Sequence, residues 1–405
     1  MSEITSPHSA VEVPTPRVLM FPPAVNYGEI TFGIELEMVT SVCYPEKGSF
    51  CGDRIRISVM DALNCVNEIV AGLTASCHES GGDDEGYYDN SGYSDDEDDN
   101  KDPNYGIWNV SFDGSVYEES AEIHRRYPQL PNLSTTREEE TKLLFDQTRR
   151  MFVEYDGIEV ISRVFKLAET KIWTEHIGKV LHALRRGPMV NGTPESSGYH
   201  VHVGLGDGRF TFEAIKKIAV TVTLAESLID KFHAPHRRNE QLQIRTLIGR
   251  AEFQGLSREA IFDKIMGAAD YHEFMAIISS DTLISPGGAS ISMYGRAYKV
   301  NFTNLDLGDK KGTIEFRQHE GTLDPTSIAM WIRFTGLLVF HAVNLTIESL
   351  KNILVPYSSM SGIMHLKPFI EAFIRDPLVA VYYLAKIGIR PVQRDVSLPA
   401  SESKT

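Results

Sequence analysis

The clearest pattern in the chain is a two-residue alternation of apolar and polar positions in three short segments. These segments read FGIELEMV from residue 32, GYHVHVG from residue 198 and TIEFRQH from residue 313. Because successive side chains of a β-strand point to opposite faces, each segment is predicted to be a strand with one apolar face. The opposite faces would carry the side chains of Glu35, Glu37, His200, His202, Glu315, Arg317 and His319.

The remaining pattern predicts an α+β fold. Strands are expected at 30–39, 107–112, 199–205, 298–303 and 313–319, and helices at 53–73, 138–155, 173–185, 211–232, 258–266, 271–279, 325–345 and 369–386. Thr211 and Asp324 are expected to cap two of these helices, and Pro325 suits a first helical position. Strands and helices follow one another without a regular βαβ rhythm, which favours a largely antiparallel sheet.

Composition favours one elaborated globular domain within the 405 residues. Hydrophobic residues make up 42% and charged residues 23% of the chain, as in ordinary globular proteins. Residues 1–27 are rich in Ser, Pro and Thr and are expected to form a disordered tail, as are residues 391–405. The catalytic or binding domain is therefore expected at 28–390.

The net charge of -15 comes mostly from one segment. Between Glu79 and Asp102 there are eleven acidic residues and one lysine, so residues 79–104 are predicted to be a disordered insertion in a surface loop. A solvating role is favoured over binding of a basic partner. The rest of the chain is only mildly acidic and has no basic stripe, so no nucleic-acid partner is expected.

Cysteine usage and hydropathy favour a cytoplasmic protein. The four cysteines show no CxxC pair and no histidine at zinc spacing, so ordinary thiols are favoured over a disulfide or metal framework. The first residues lack the apolar core of a signal peptide, and no segment reaches the length of a membrane span. We therefore expect no membrane association.

The polar residues of the three alternating strands predict a metal and phosphate site. For one strand alone, a solvated outer face is the simpler interpretation. If the three strands share a sheet, however, their carboxylates, imidazoles and guanidinium converge, and clustered carboxylates repel unless cations lie among them. Such oxygen-rich sites suit Mg²⁺ or Mn²⁺, and Arg317 could grip a phosphate with two hydrogen bonds.

Phosphate-binding loops of the known kinds are not evident in the sequence. There is no GxxxxGK(S/T) motif, the HRR at residue 236 is not a kinase HRD loop, and GLGDGRF from Gly204 is interpreted as a plain turn. Nucleotide binding would therefore depend on metal ions and basic side chains.

A series of motifs resembles that of the glutamine synthetase-like amidoligases. They are GIELE from residue 33, WNVSFDGS from residue 108 with Glu122 after it, GYHVHVG, the helix of Glu226 followed by HRRN, GRAYKVN from residue 295, and GTIEFRQHEGTLDP from residue 312. Their order and approximate spacing match the family over about residues 27–344. One departure is EIHRRYP from Glu122, where many relatives have a Glu followed closely by Ser-Pro.

This resemblance implies a glutamine synthetase-like catalytic domain: a curved, mostly antiparallel sheet with helices packed on one face. It also implies an ATP-dependent ligase that uses Mg²⁺ or Mn²⁺ and joins a carboxylate to an amine. Transferred by motif, the metal ligands would be Glu35, Glu37, Glu226, Glu315 and His200 or His202. The residues expected to contact nucleotide or phosphate are Arg317, Arg296, Arg237, Arg238, Asn301 and His319.

Three assignments stay open at this point. Asp113 and Glu122 are alternative acceptors of the proton that the amine loses, but the FDGSV segment around Asp113 equally suits a tight turn. Glu122 is also a candidate to complete the metal sites. His319 is equally compatible with the site and with a position at the sheet edge.

The predicted reaction transfers the γ-phosphoryl group of ATP to a carboxylate, and an amine then displaces phosphate from the acyl phosphate. The products would be an amide, ADP and phosphate, with small molecules or peptides as the acid and the amine. Alternatives are a phosphotransferase or ATPase on the same site, a metal-dependent hydrolase built on HVH, and a catalytically silent binding or scaffold protein.

Overall fold

The computed structural model describes residues 25–44, 59, 63, 106–113, 115–116, 143–146, 151–186, 189–206, 208–238, 244–279, 297–305, 312–356 and 366–388. The acidic insertion expected at 79–104, the C-terminal tail at 391–405 and most of the helix expected at 53–73 lie outside these residues. Val59 and Leu63, the two described residues of that helix, are helical and buried.

One antiparallel sheet of nine strands organises the described residues. The main path of neighbouring strands is β2-β4-β1-β7-β9-β8, while β3 pairs with β4, and β5 and β6 pair with β1. The strands are β1 Ile30–Tyr44, β2 Asn109–Phe112, β3 Leu143–Asp146, β4 Met151–Ile161, β5 Phe165–Lys166, β6 Met189–Gly192, β7 Gly198–Leu205, β8 Val300–Asn301 and β9 Ile314–Glu320.

Nine α-helices with described bounds complete the fold, which is of the α+β class. They are α1 Thr170–Arg186, α2 Phe212–Ile229, α3 Pro235–Arg238, α4 Arg258–Met266, α5 Tyr271–Ile278, α6 Pro325–Asn344, α7 Ile347–Leu354, α8 Leu366–Phe373 and α9 Pro377–Lys386. Two predicted caps are confirmed. Thr211 Oγ1 accepts from the Ala214 N–H at 3.2 Å, and Asp324 Oδ2 accepts from the Ser327 N–H at 2.7 Å.

The hydrophobic core lies between the apolar sheet face and the helices. Trp173 of α1 meets Phe32 of β1 edge to face at 5.5 Å, and Trp331 of α6 meets Phe316 of β9 at 6.4 Å. The Tyr199 hydroxyl of β7 also donates to the carbonyl of Ile328 at 3.2 Å. These contacts leave the second face of the central strands for the polar side chains.

The expectation that no segment reaches the length of a membrane span is wrong for helix α6. This helix is long and apolar enough to cross a membrane by length and composition, and it is the one such helix in the described part of the chain. Here its fully buried residues, among them Trp331, Phe334 and Leu338, belong to the same core cluster as the apolar residues of the sheet. The core packing explains its hydropathy.

The helix predicted at 138–155 is wrong, because this region forms β3 and β4. Strand β4 pairs with β1 along ten consecutive residues, from Glu35 opposite Ile161 to Tyr44 opposite Phe152. The Glu- and Leu-rich start of the segment favours a helix locally. Pairing with a long central strand outweighs that preference, and the run of aromatic and β-branched residues from Phe152 onwards fits it.

Two further boundaries differ from the expectations. The helix predicted at 369–386 is two helices, because Asp376 caps α9 by accepting from Leu378 N–H at 2.9 Å and Pro377 occupies the first helical position. At the other end, Val25 is buried and exchanges two hydrogen bonds of 3.0 and 3.1 Å with the Asn344 side chain. The packed chain therefore begins by residue 25, within the segment expected to be a tail.

Candidate active site

Strand order places the polar faces of the predicted strands next to one another. Since β4, β1, β7, β9 and β8 are neighbours, Glu37 lies opposite Glu159, Glu35 opposite His200, and His202 opposite Glu315. Directly opposed residues of antiparallel strands project to the same face. The convergence expected from the sequence is confirmed for Glu35, Glu37, His200, His202 and Glu315.

The two histidines lie among the carboxylates of β1. His202 Nε2 is 2.8 Å from Glu35 Oε1, and His200 Nδ1 is 3.2 Å from Glu35 Oε2. On its other side, His200 Nε2 is 3.2 Å from Glu37 Oε1. His200 therefore bridges both glutamates of the GIELE segment.

Glu315 extends the cluster to the next strands. Its carboxylate forms an ion pair with Arg317 two residues along β9 and accepts from Asn301 Nδ2 at 2.7 Å. His200 Nδ1 lies 3.5 Å from Glu315 Oε1. Asn301 Oδ1 in turn accepts from the Thr303 N–H at 2.8 Å, which orients the amide toward Glu315.

Glu159 of β4 is a member of the cluster that the sequence reasoning missed. One oxygen of Glu159, one of Glu35 and one nitrogen of His200 lie within 4.8 Å of one another. The missed signal is the alternation of Ile158, Glu159 and Val160, which resembles that of the GIELE segment but lay at the edge of a segment interpreted as a helix.

The carboxylates of the cluster do not all carry charge together. Although burial raises the pKa of Glu35, His202 and His200 lower it well below the usual range. Burial likewise opposes ionisation of Glu315, but Arg317 and the histidines lower its pKa. For Glu159, burial and then the charges of Glu35 and Glu37 raise the pKa well above its usual value. The neutral form of Glu159 avoids a further buried negative charge beside Glu35 and Glu37.

Gly198 lets the backbone approach the cluster closely. Its N–H donates to Glu37 Oε2 at 2.5 Å, and a β-carbon at this position would lie 2.6 Å from His200 Nε2 and 2.8 Å from Arg237 Nη2. Arg237, on α3, is buried and donates to the carbonyl of Arg317 at 2.7 Å. Burial lowers the pKa of Arg237 to about 10. The structure thus brings Arg237 to the edge of the cluster, as expected.

The expected place of His319 among these residues is wrong. The chain advances three residues along β9, from Phe316 to His319, while it advances two along β7, from Val201 to Tyr199. This β-bulge shifts the alternation of β9 by one position. His319 therefore packs on the apolar side, with its ring 5.4 Å from that of Tyr199 and 5.8 Å from that of Trp331.

Two other expected site residues lie elsewhere. Glu226, expected as a metal ligand, is on α2, which packs against α4 and α6. Its carboxylate accepts from Leu247 N–H at 2.6 Å and lies 3.9 Å from Lys299. Arg238, expected to bind nucleotide, donates from Nε to the carbonyl of His233 at 2.7 Å. In these contacts both side chains bind groups outside the cluster on the polar sheet face, and both are corrections to the expected site.

Asp113 forms the tight turn that was one of its two interpretations. Its Oδ1 accepts from the N–H and the hydroxyl of Ser115 at 2.8 and 2.6 Å, and its carbonyl accepts from Val116 N–H at 3.1 Å. Its charge also contributes to the raised pKa of Glu159. Asp113 therefore borders the cluster. Glu122 and Arg296 lie outside the described residues.

One comparison with known proteins, the match to a family model, agrees with the motifs. A family described as a putative amidoligase enzyme has a sequence model that matches residues 28–339. No curated protein matches the chain. A bifunctional glutathione synthetase from Pasteurella multocida is a structural neighbour with a TM-score of 0.36 and 11% identity, over 89% of this chain and 47% of that one. This chain spans about half the length of that enzyme, and so distant a likeness carries no argument.

Proposed function

Since the chain belongs to the family of putative amidoligase enzymes, we propose that it is an ATP-dependent ligase that joins a carboxylate to an amine. One observation carries the proposal: four glutamates, two histidines and two arginines from neighbouring elements meet at one polar sheet face. The acid and the amine would be small molecules or peptides, and the reaction would take place in the cytoplasm.

The fold supports assigning this sheet to the glutamine synthetase type, which is the finer form of the proposal. An antiparallel sheet with helices on its apolar face leaves the other face of β4, β1, β7 and β9 to the substrates. The catalytic groups then come from strands rather than from a phosphate-binding loop. This agrees with a sequence that has no such loop motif.

The carboxylates and imidazoles suit Mg²⁺ or Mn²⁺. Glu35, His202 and Glu315 offer one set of three ligand atoms within 4.8 Å, and Glu35, Glu159 and His200 offer another. Glu37 lies beside the second set through His200. A donor set dominated by carboxylate oxygens is the kind that these ions prefer. A bound ion would supply charge that offsets the phosphates of the nucleotide.

The arginines suit the phosphoryl group. Arg317 and Arg237 each keep a buried Nε atom without a hydrogen-bond partner. An unsatisfied buried donor is unfavourable unless an anion or water occupies the site. Glu315 orients the guanidinium of Arg317, and that group would stabilise the charge that develops during transfer of the γ-phosphoryl group to the substrate carboxylate. Arg296 would be a further contact to this group.

The second half of the proposed reaction joins the amine. The amine nitrogen attacks the acyl phosphate carbon, the bond to phosphate breaks, and the amine loses one proton. Asp113, next to Glu159, or Glu122 would accept that proton. Asn301 contributes by holding the Glu315 carboxylate in place.

A turnover assay tests the proposal. The full chain is incubated with Mg-ATP and pooled amino acids, amines and short peptides, and both ADP and new amide masses are measured. Glu35→Gln is the test variant. Glu175→Gln is the matched control, because Glu175 lies on the exposed side of α1 and pairs with Lys179 at 2.9 Å. We expect ADP and an amide from the wild type and from Glu175→Gln, and neither from Glu35→Gln.

Two outcomes would contradict the proposal. If Glu35→Gln released ADP as fast as the wild type, the cluster would not be the metal site of the reaction. ADP without any new amide would instead indicate a phosphotransferase or ATPase on the same site.

A further inference from the structure

A second group of ligand-type side chains lies on the other side of the end of β9. It consists of His233, which follows α2, and of His319 and Glu320 at the end of the strand. One ligand atom from each of the three residues lies within 4.8 Å of the others. We propose that this group, called here the rear cluster, binds a structural transition-metal ion of the zinc type.

Unsatisfied imidazole nitrogens are the main observation for this site. His233 is 2% exposed and neither of its ring nitrogens has a hydrogen-bond partner. His319 is fully buried; its Nδ1 lies 2.7 Å from the carbonyl of Glu320, while its Nε2 has no partner. A neutral imidazole always presents one N–H and one lone pair, and burying either without a partner is unfavourable. An ion would use the lone pairs.

The spacing of the ligands fits an ion better than direct hydrogen bonds. His233 Nδ1 is 3.7 Å from Glu320 Oε2, which is too long for a hydrogen bond. His319 donates from Nδ1 to the carbonyl of Glu320, so it would bind the ion through Nε2. Two ligands of one tetrahedral zinc ion, with bonds of about 2.0–2.2 Å, lie roughly 3.3 Å apart. The His233–Glu320 pair would therefore have to close by a few tenths of an ångström to bind one ion.

The type of ion follows from the ligands and their surroundings. Two imidazoles and one carboxylate favour Zn²⁺ and related ions over Mg²⁺, in contrast to the carboxylate-rich polar face. Trp331 packs 4.7 Å from the His233 ring, so the imidazoles lie against the apolar core, which suits a structural ion. Glu320 is held by the Ala234 N–H at 3.2 Å and by Lys386 at 2.9 Å, and its side chain is 23% exposed, which leaves one open direction.

An ion here would fix parts of the candidate active site. It would connect the end of β9, two residues after Arg317, to the segment just before α3, which carries Arg237. The hydrogen bond from Arg237 to the carbonyl of Arg317 joins the same two segments. The rear cluster would therefore hold both arginines in position without contacting the substrates.

Zinc content and zinc-dependent stability test the site. The full chain is stripped with EDTA, dialysed against Zn²⁺ and analysed for bound metal, and its melting temperature is measured with and without Zn²⁺. We expect the wild type and Glu35→Gln each to retain about one zinc ion per chain. We also expect Zn²⁺ to raise the melting temperature. His233→Ala and Glu320→Gln should lose both effects. His341→Gln, which changes a partly buried histidine of α6 outside the cluster, should keep them.

Two results would overturn the inference. One is a folded wild type that neither retains zinc nor melts higher with Zn²⁺. The other is zinc that disappears in Glu35→Gln but persists in His233→Ala. If the rear-cluster variants do not fold, the wild type with Co²⁺ decides the question. Visible absorption of a tetrahedral Co²⁺ ion that Zn²⁺ displaces, unchanged in Glu35→Gln, supports the site, and its absence rejects it.

Discussion

Gly198 shows how one residue without a side chain shapes the acidic cluster. Its N–H reaches Glu37, and the space of its absent β-carbon is taken by the side chains of His200 and Arg237. A larger residue would have to displace a ligand histidine or an arginine. We therefore interpret the glycine before the HVH pair as part of the site rather than as a turn.

Gly198→Ala should weaken divalent-ion binding and ATP turnover. The added methyl group would lie 2.6 Å from His200 Nε2, so His200 must move away from Glu37. We also expect a loss of stability of about 1–3 kcal/mol from overpacking. Mn²⁺ titration by calorimetry and ADP assays measure the effect.

The matched control is Gly204→Ala on the same strand. Its β-carbon would meet the methyl group of Thr313 at 3.2 Å and no ligand side chain among its nearest atoms. This variant should lose some stability but bind Mn²⁺ like the wild type. Equal Mn²⁺ affinity of Gly198→Ala and the wild type would disprove the role given to Gly198.

Glu159→Gln should separate the stability of the protein from its affinity for metal. Glu159 keeps its proton because it is buried beside Glu35 and Glu37. A neutral glutamine should therefore leave the metal-free protein as stable as the wild type or more stable. The increase in melting temperature on adding Mn²⁺ should become smaller, because one carboxylate ligand is lost. Thermal unfolding with EDTA or Mn²⁺ measures both, and an unchanged Mn²⁺ effect would exclude Glu159 as a ligand.

At the scale of elements, the alternating strands were predictable and their neighbours were not. Strands β1 and β7, and β9 as far as Arg317, follow a two-residue period, so these faces could be assigned from the sequence. Strand β4 starts in a segment rich in helix-forming residues, and its pairing with β1 is a long-range interaction that local preference does not encode. Glu159 was missed for this reason.

The bulge in β9 sets a second limit on prediction. Strict alternation would place the His319 side chain on the same face as Glu315 and Arg317. The extra residue of the β-bulge before His319 turns this side chain to the apolar face instead. The RQH segment alone does not indicate that the strand contains an extra residue. The Asp376–Pro377 pair, in contrast, is typical of a helix start. It could have been used to divide the helix predicted at 369–386 into two.

Glu226 on α2 should make the stability of the protein depend on pH. Burial raises its pKa to about 8, because Lys299 only partly offsets the burial and Asp230 adds to it. Between pH 4.5 and 8, the folded state holds a proton that the unfolded state has lost. The contribution of this group to the free energy of unfolding is therefore largest at low pH and decreases as pH rises through that window.

Glu226→Gln should remove this dependence. Relative to the variant, the wild type should lose on the order of a few kcal/mol of unfolding free energy between pH 5 and 8. Urea unfolding at several pH values measures it, with Glu175→Gln on exposed α1 as the control that keeps the wild-type slope. If the unfolding free energies of the wild type and Glu226→Gln changed with pH by the same amount, Glu226 would be ionised in the folded state.

At the scale of the whole molecule, one core connects the sheet to the helices on its apolar face. The buried apolar residues from Val25 to Leu384 form a single cluster. The amidoligase match, residues 28–339, ends within α6. Helices α7, α8 and α9 follow it in the chain but contribute to the same core, with Leu350, Phe369 and Tyr383 fully buried. We therefore expect the described elements to unfold as one domain.

Three tryptophans allow a test of this expectation. Trp108 before β2, Trp173 on α1 and Trp331 on α6 are all fully buried. Trp108 and Trp173 pack around the Phe32–Phe165 pair, whereas Trp331 packs against Phe316 and Phe334. Three proteins, each with two of the tryptophans replaced by Phe, would report the loss of packing at one place by a red shift of fluorescence in urea. If the core is one cooperative unit, each protein shows the same midpoint by fluorescence as by far-UV circular dichroism. The contrary result is a fluorescence midpoint well below the circular dichroism midpoint in the protein that retains only Trp108. That result would indicate that the β2 edge opens separately from the helices around Trp331.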